Sequence, residues 1–189
     1  GAEAIKALLA LSPVGPLLFS CSAFPPAPGL SFEVGFPFVE ESPVFTEEAP
    51  GVFSVASRFV DGKNGVIGGR RGALAIDCSN YVDGGQAMAD FIRERGYESN
   101  DIVLTHGHGD HIYGAVPLMS GQVYGHALTG PKMTSQLPMI SEKWECSEQE
   151  ASERLPWPTI SYRDELWIDL GDKHVWMFPT PGHSNDGVS

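Results

Sequence analysis

The segment Thr105-His106-Gly107-His108-Gly109-Asp110-His111 constrains this chain more than any other. Three imidazoles and a carboxylate fall within six consecutive residues, separated only by glycines. Imidazole and carboxylate together form a borderline-metal ligand set, best matched to zinc. The preceding run Ile102-Val103-Leu104-Thr105 reads as a short buried strand. A strand that runs into a glycine-rich loop can aim several side chains at one point, and Gly107 and Gly109 are expected to let the backbone turn sharply there without Cβ clashes. A lone histidine is usually a satisfied core or surface residue, but stability alone does not explain this packing of ligand types.

The cluster has the form H-x-H-x-D-H, and this resembles the signature of the metallo-β-lactamase-fold superfamily of metal-dependent hydrolases. Thr180-Pro181-Gly182-His183-Ser184, after the apolar run Val175-Trp176-Met177-Phe178, resembles the motif that carries that family's next metal ligand. Asn64 in Lys63-Asn64-Gly65-Val66-Ile67 resembles an early Asn-containing strand. Ala73-Leu74-Ala75-Ile76-Asp77 resembles the strand that ends in Asp before the first helix. The matches run from about Gly51 to the C-terminus in the family's order.

The resemblance implies an α/β (α+β) fold, an αββα sandwich of two facing sheets with helices outside. It implies that His106, His108 and His183 hold a first metal, and that Asp110 and His111 begin a second site. The expected cofactor is one or two Zn2+ ions, with iron as the other possibility. A zinc-bound hydroxide, available because metal lowers the pKa of water to about 7, would attack a carbonyl or phosphoryl centre. Asp110 is the expected catalytic residue, orienting the nucleophile and shuttling its proton. Ester, thioester, lactone, β-lactam and phosphoester substrates all suit this chemistry. Two alternatives remain open: an iron-dependent oxygenase acting on a sulfur substrate, and a non-catalytic metal-binding fragment. In the family a bridging acidic residue and a last His come well after the second motif, whereas this sequence ends six residues past His183. The expectation is therefore the N-terminal part of a longer protein, with the sandwich incomplete at the C-terminus.

Composition narrows the partners. The 189 residues suffice for one domain with a real core. The formal net charge of −12 argues against a basic nucleic-acid-binding surface, which needs Lys and Arg to neutralise phosphates. The charge says nothing positive about substrate; the resemblance implies a small-molecule substrate as partner. No uninterrupted apolar stretch reaches the length of a membrane-spanning helix. Cys21, Cys78 and Cys146 have no C-x-x-C spacing and are too few for a disulfide scaffold. Cys78 and Cys146 could pair in an oxidising compartment.

Three segments follow from the chain's texture. Residues 1–23 hold an apolar run with Lys6 near its start, either the h-region of a secretory signal peptide or an N-terminal leader. The former would send the protein to the periplasm or outside the cell. Residues 24–50 carry six prolines and read as a linker or extended arm. For residues 51–189 the resemblance implies the N-terminal part of a metallo-β-lactamase-like domain. Within it, strands are predicted over 52–60, at Val66-Ile67 and over 73–76. A helix is predicted over 83–95, with Asp83 and Gln86 as a capping box and Gly96 as C-terminal cap. A helix bent at Pro117 is predicted over 112–119 and a strand over 122–126. The segment 128–155 reads as polar, with a helical patch over 147–154, and the resemblance implies an insertion of the kind that varies among family members. A hairpin about Gly171-Asp172 joins strands over 165–170 and 174–178. His126 is read as structural rather than a ligand, and His174 as exposed at the start of the second hairpin strand. Trp144 and Trp157 are read as covering the core, and Ser184 and Ser189 as loop residues without a base.

Overall fold

The computed structural model describes residues 43–57 and 61–189. The signal or leader segment, most of the proline-rich arm, Cys21 and the last residues of the strand expected over 52–60 lie outside the described residues.

Four short strands build the first half of the main sheet. Strands β1 (Phe45–Ala49), β2 (Val52–Ala56), β3 (Lys63–Gly69) and β4 (Gly72–Ile76) form an antiparallel meander. The proline-rich arm therefore gives way before residue 50, because Phe45–Ala49 lies between Pro43 and Pro50 and pairs with β2 as the edge strand. From β4 the sheet turns parallel, through β5 (Asn100–Val103), β6 (Val123–His126) and β7 (Ile160–Tyr162). The seven strands lie in sequence order across the sheet. A second, two-stranded sheet is the antiparallel hairpin β8 (Leu166–Asp169) and β9 (His174–Met177).

Both faces of the central strands are buried, and alternate residues serve different cores. Ala73, Ala75, Ile102 and Leu104 face a cluster that includes Met88, Phe91 and Ile92 of helix α1 (Val82–Glu94) and Met133 and Ile140 of helix α3 (Thr129–Lys143). Leu74 and Val103 face the other way, onto Ile168, Leu170, Met177 and Val188. Helices, the large sheet and the hairpin sheet thus stack as successive layers of a mixed α/β fold, which is the class the motifs implied.

Several local expectations are corrected. Helix α1 spans the predicted range shifted by one residue and ends at Gly96, whose φ of 84° suits glycine. Its N-cap is Tyr81 with no side-chain cap, and Gln86 donates to Asp90 instead of closing a capping box. The helix expected over 112–119 begins earlier, as the short α2 (Gly109–Ile112), and Pro117 sits in a separate 3-10 turn, Val116–Leu118. The segment 128–155 is far more helical than its prolines suggested. Pro131 falls in the first turn of α3, where its missing N–H costs nothing, and Pro138 is tolerated inside the helix. The patch expected over 147–154 is helix α4 (Glu148–Glu153), capped by a Ser147–Glu150 box. Trp144 and Trp157 do lean on the core cluster; Trp144 meets the Tyr113 ring edge-on at 5.2 Å. Cys78 and Cys146 are free thiols rather than a pair. Among the described residues no helix is long and apolar enough to cross a membrane.

Candidate metal centre

Parallel pairing of β4 with β5 decides where the chemistry lies. Ile76 stands opposite Val103, so the residues that follow them, Asp77 and the loop Leu104–His108, leave the sheet side by side at its carboxyl edge. Loops beyond the carboxyl ends of parallel strands are where such sheets place their sites. Asp77 adopts a positive φ of 61°, an unusual conformation for a residue with a side chain, and is almost fully buried. In that position its carboxylate accepts hydrogen bonds from the Thr105 amide (2.8 Å), the Thr105 hydroxyl (2.7 Å) and Nδ1 of His111 (2.7 Å).

This network dictates how His106 is presented. An ionised carboxylate only accepts, so the Thr105 hydroxyl directs its proton to Asp77. The same hydroxyl oxygen, 3.1 Å from Nδ1 of His106, is then an acceptor. His106 accordingly carries its proton on Nδ1, and Nε2 keeps its lone pair. That Nε2 is buried and has no hydrogen-bond partner. Burial, with the neighbouring His111 adding to it, lowers the His106 pKa to about 4, so the ring stays neutral at physiological pH. A neutral imidazole with a buried, unpaired nitrogen has the chemistry to take a metal ion, and an orphaned polar atom is otherwise costly.

The second histidine motif reaches the same place from the far side of the sandwich. After β9 the chain closes a loop: Phe178 and Ser189 exchange backbone hydrogen bonds of 3.0 Å, and the Thr180 amide donates to the Gly187 carbonyl at 2.8 Å. The Val188 amide donates to the Thr105 carbonyl at 2.9 Å and fastens this loop to the first. His183 stands at its tip, with Nε2 3.0 Å from Nδ1 of His108. One ligand nitrogen from each of His106, His108 and His183 lies within 4.8 Å of the others. Burial, then the charges of Lys132 and His183, push the His108 pKa down as well. Three imidazoles around one point match the protein share of a catalytic zinc site, in which a fourth position stays open. The donor set and the orphaned His106 nitrogen both fit a divalent ion of that kind.

Asp110 and His111 stand beside this triad and outside it. They lie on α2, and Nε2 of His111 is 3.3 Å from the Asp110 carboxylate. The His106 and His111 rings are 4.1 Å apart. Burial opposes a charge on His111, but the Asp77 hydrogen bond and charge, helped by Asp110, prevail and raise its pKa. His126 is elsewhere, with Nε2 on the Arg163 carbonyl and Nδ1 taking the Leu128 amide. His174 faces Asp169 on the hairpin surface. Ser184 is buried, donating to Asp186 and accepting from Lys132.

Gly107 and Gly109 avoid Cβ clashes, as expected, although neither has a positive φ. They are small for lack of room. A Cβ on Gly109 would come within 2.2 Å of the Tyr113 ring, and one on Gly107 would meet Met133 and Asp186 at 3.3 and 3.4 Å. Among residues that shape the site, Asp77 had a sequence signal only as the end of a strand. Asp186, Lys132, Gln136 and Thr105 had no assigned part. The i, i+4 spacing of Lys132 and Gln136 would have put them on one helical face, had their segment been read as a helix.

Neither a protein-family model nor a curated protein matches the chain. Solved structures do. DIM-1 metallo-β-lactamase exposed to ceftazidime aligns with a TM-score of 0.55 at 17% identity, covering 78% of this chain and 64% of that one. A metallo-β-lactamase from Pontibacter korlensis aligns with a TM-score of 0.58 at 17% identity, over 77% of this chain and 65% of that one. A double mutant of the sec-alkyl sulfatase PisA1 gives 0.56 at 13% identity, over 77% and 29%. The chain thus spans less than two thirds of the length of each of these structures. What is shared at such distances is the path of the backbone, and that path is the metallo-β-lactamase fold.

Proposed function

We propose that this chain carries the metal-binding core of a metal-dependent hydrolase. The observation that carries the reading is the convergence of His106, His108 and His183 at the carboxyl edge of the sheet, with Nε2 of His106 buried and unpaired. In this reading the three imidazoles hold a first Zn2+. An ion held there supplies Lewis acidity and, at neutral pH, a hydroxide nucleophile. Asp77, through Thr105, keeps the His106 proton on Nδ1 and its lone pair toward the site. Asp77 likewise holds Nδ1 of His111, which turns Nε2 toward Asp110. Asp110, partly exposed at the rim, is the residue suited to orient a nucleophile and accept its proton. His111 and Asp110 together begin a second cation position. Esters, thioesters, lactones, β-lactams and phosphoesters all present the electrophilic centre this chemistry needs. The names of the similar structures, two of β-lactamases and one of a sulfatase, are in keeping with a hydrolytic role at the level of the fold.

Metal content of the purified chain, measured by plasma mass spectrometry beside His183→Ala, tests the reading. About one zinc per chain, as the three-ligand pattern requires, and its loss from the variant are expected. Chromogenic esters, lactones, β-lactams and phosphoesters should then be screened with Asp110→Ala as control. Iron with oxygen uptake would favour a sulfur-substrate oxygenase. Metal uptake indifferent to His183 would sink the assignment.

A further inference from the structure

Gly107, the single residue between His106 and His108, is gripped on both of its backbone polar groups. Its N–H donates to Oδ2 of Asp186 at 2.8 Å, across 79 residues of sequence. Its carbonyl accepts from Nε2 of Gln136 at 2.8 Å. Asp186 belongs to the loop that carries His183 and is fully buried. Its other oxygen accepts the Ser184 hydroxyl and lies 3.5 Å from Nζ of Lys132, which also donates to Ser184. Lys132 and Gln136 sit one turn apart on α3, and Gln136 also bonds back to the Lys132 carbonyl. A buried carboxylate is tolerated only when its charge and lone pairs are met. Here a lysine, a hydroxyl and a backbone amide meet them.

The consequence is geometric. The directions of the His106 and His108 side chains depend on the orientation of the peptide units on either side of Gly107. Asp186 holds one of those units from the His183 loop, and Gln136 holds the other from α3. We propose that Asp186 is a positioning residue, with Gln136 as its counterpart, that sets the spacing of the three imidazoles by tying the His183 loop to Gly107; the proposal rests on the metal-binding reading above. Asp186 touches no reacting group and acts only through Gly107 and the loop it belongs to. Lys132 neutralises the tie.

The test uses the full chain stripped of metal and titrated with Co2+, whose ligand-field absorption reports coordination geometry, and with Zn2+ against a chromophoric chelator. Asp186→Ala is expected to weaken both ions by about 10- to 100-fold, the usual cost of removing an outer-shell partner, and to shift the Co2+ bands. Asp186→Asn, whose amide oxygen can still accept from Gly107, is expected to restore the band positions. Gln136→Ala leaves the buried carboxylate in place and should shift the bands in a smaller degree; it decides the matter if Asp186→Ala does not fold. Folded variants that melt earlier but bind Co2+ with unchanged affinity and spectrum would overturn the proposal, because the contact would then be structural only. A wild-type chain that takes up no Co2+ would overturn the metal reading and this proposal with it.

Discussion

The carboxyl edge of the large sheet and the outer face of the β8–β9 hairpin invert the usual distribution of polar and apolar groups. At the sheet edge, charged carboxylates are interior: Asp77 is 2% exposed and Asp186 0%. On the hairpin, large aromatic surfaces are outside: Trp167 is 61% exposed and Trp176 46%. The two indoles stack on each other at 5.4 Å and nearly parallel, and Trp176 also leans on Phe178 at 4.5 Å. Trp176 Nε1 donates to the exposed Glu165 carboxylate at 3.0 Å. Burying a carboxylate demands several fixed partners, and those partners in turn fix the loops. An exposed aromatic stack demands nothing of its surroundings beyond its own pairing. The contrast separates a region whose contacts define geometry from one whose contacts contribute little to it.

Three substitutions press on that contrast, in descending size of effect. Asp77→Ala removes the acceptor for the Thr105 amide, the Thr105 hydroxyl and His111 together, and leaves the amide without its partner. A loss of about 3 kcal/mol is expected, of the order seen when one member of a buried pair is deleted, read from urea unfolding of the metal-free chain. A loss within error would mean that the sheet edge is no more demanding than the hairpin. Within the hairpin, the inward Ile168 and the outward Trp167 are adjacent residues on opposite faces. Ile168→Ala should cost about 2–4 kcal/mol as a core truncation. Trp167→Ala should cost less than about 1 kcal/mol, the worth of an exposed aromatic pair. Equal costs in the same denaturant titration would show that the outer face is not the free surface the contacts describe.

Thiol chemistry sharpens the comparison without altering stability. Cys78, next to Asp77, is fully buried, and burial with the adjacent Asp77 charge holds its pKa well above the ordinary thiol value. Cys146, at the end of α3, is only half-buried. In a Cys21→Ser background, a disulfide-exchange reagent should therefore modify one thiol of the native chain, Cys146, and reach Cys78 only on unfolding. Rapid labelling of both would mean that the Asp77 edge opens readily.

The ligand types are legible in the sequence because they are crowded into a local pattern. Six consecutive residues hold three histidines and Asp110, and the strand that leads into them has an unbroken apolar run. The hairpin is legible for a similar reason, since Gly171-Asp172 punctuates two alternating runs. Helix α3 is not, because Pro131 and Pro138 are breakers in isolation, while a first-turn position excuses one and packing of Met133 and Ile140 excuses the other. The edge strand Phe45–Ala49 is hidden between prolines for the same reason: pairing with β2 decides it, not its composition.

Which residues can bind a metal is a property of side-chain chemistry and short spacing, and His106, His108, Asp110 and His111 stand out on those grounds, whereas His183, far from them in sequence, stands out only through the resemblance of its motif. How they are aimed is another matter. The tautomer of His106 depends on Asp77 through Thr105, and the pitch of the His106–His108 loop depends on Asp186 and Gln136. These partners lie tens of residues away, on a strand end, a helix and a second loop. They meet the histidines only because β4 and β5 run parallel and the hairpin folds back over them. Directional hydrogen bonds need positions as well as identities, and only the tertiary packing supplies those.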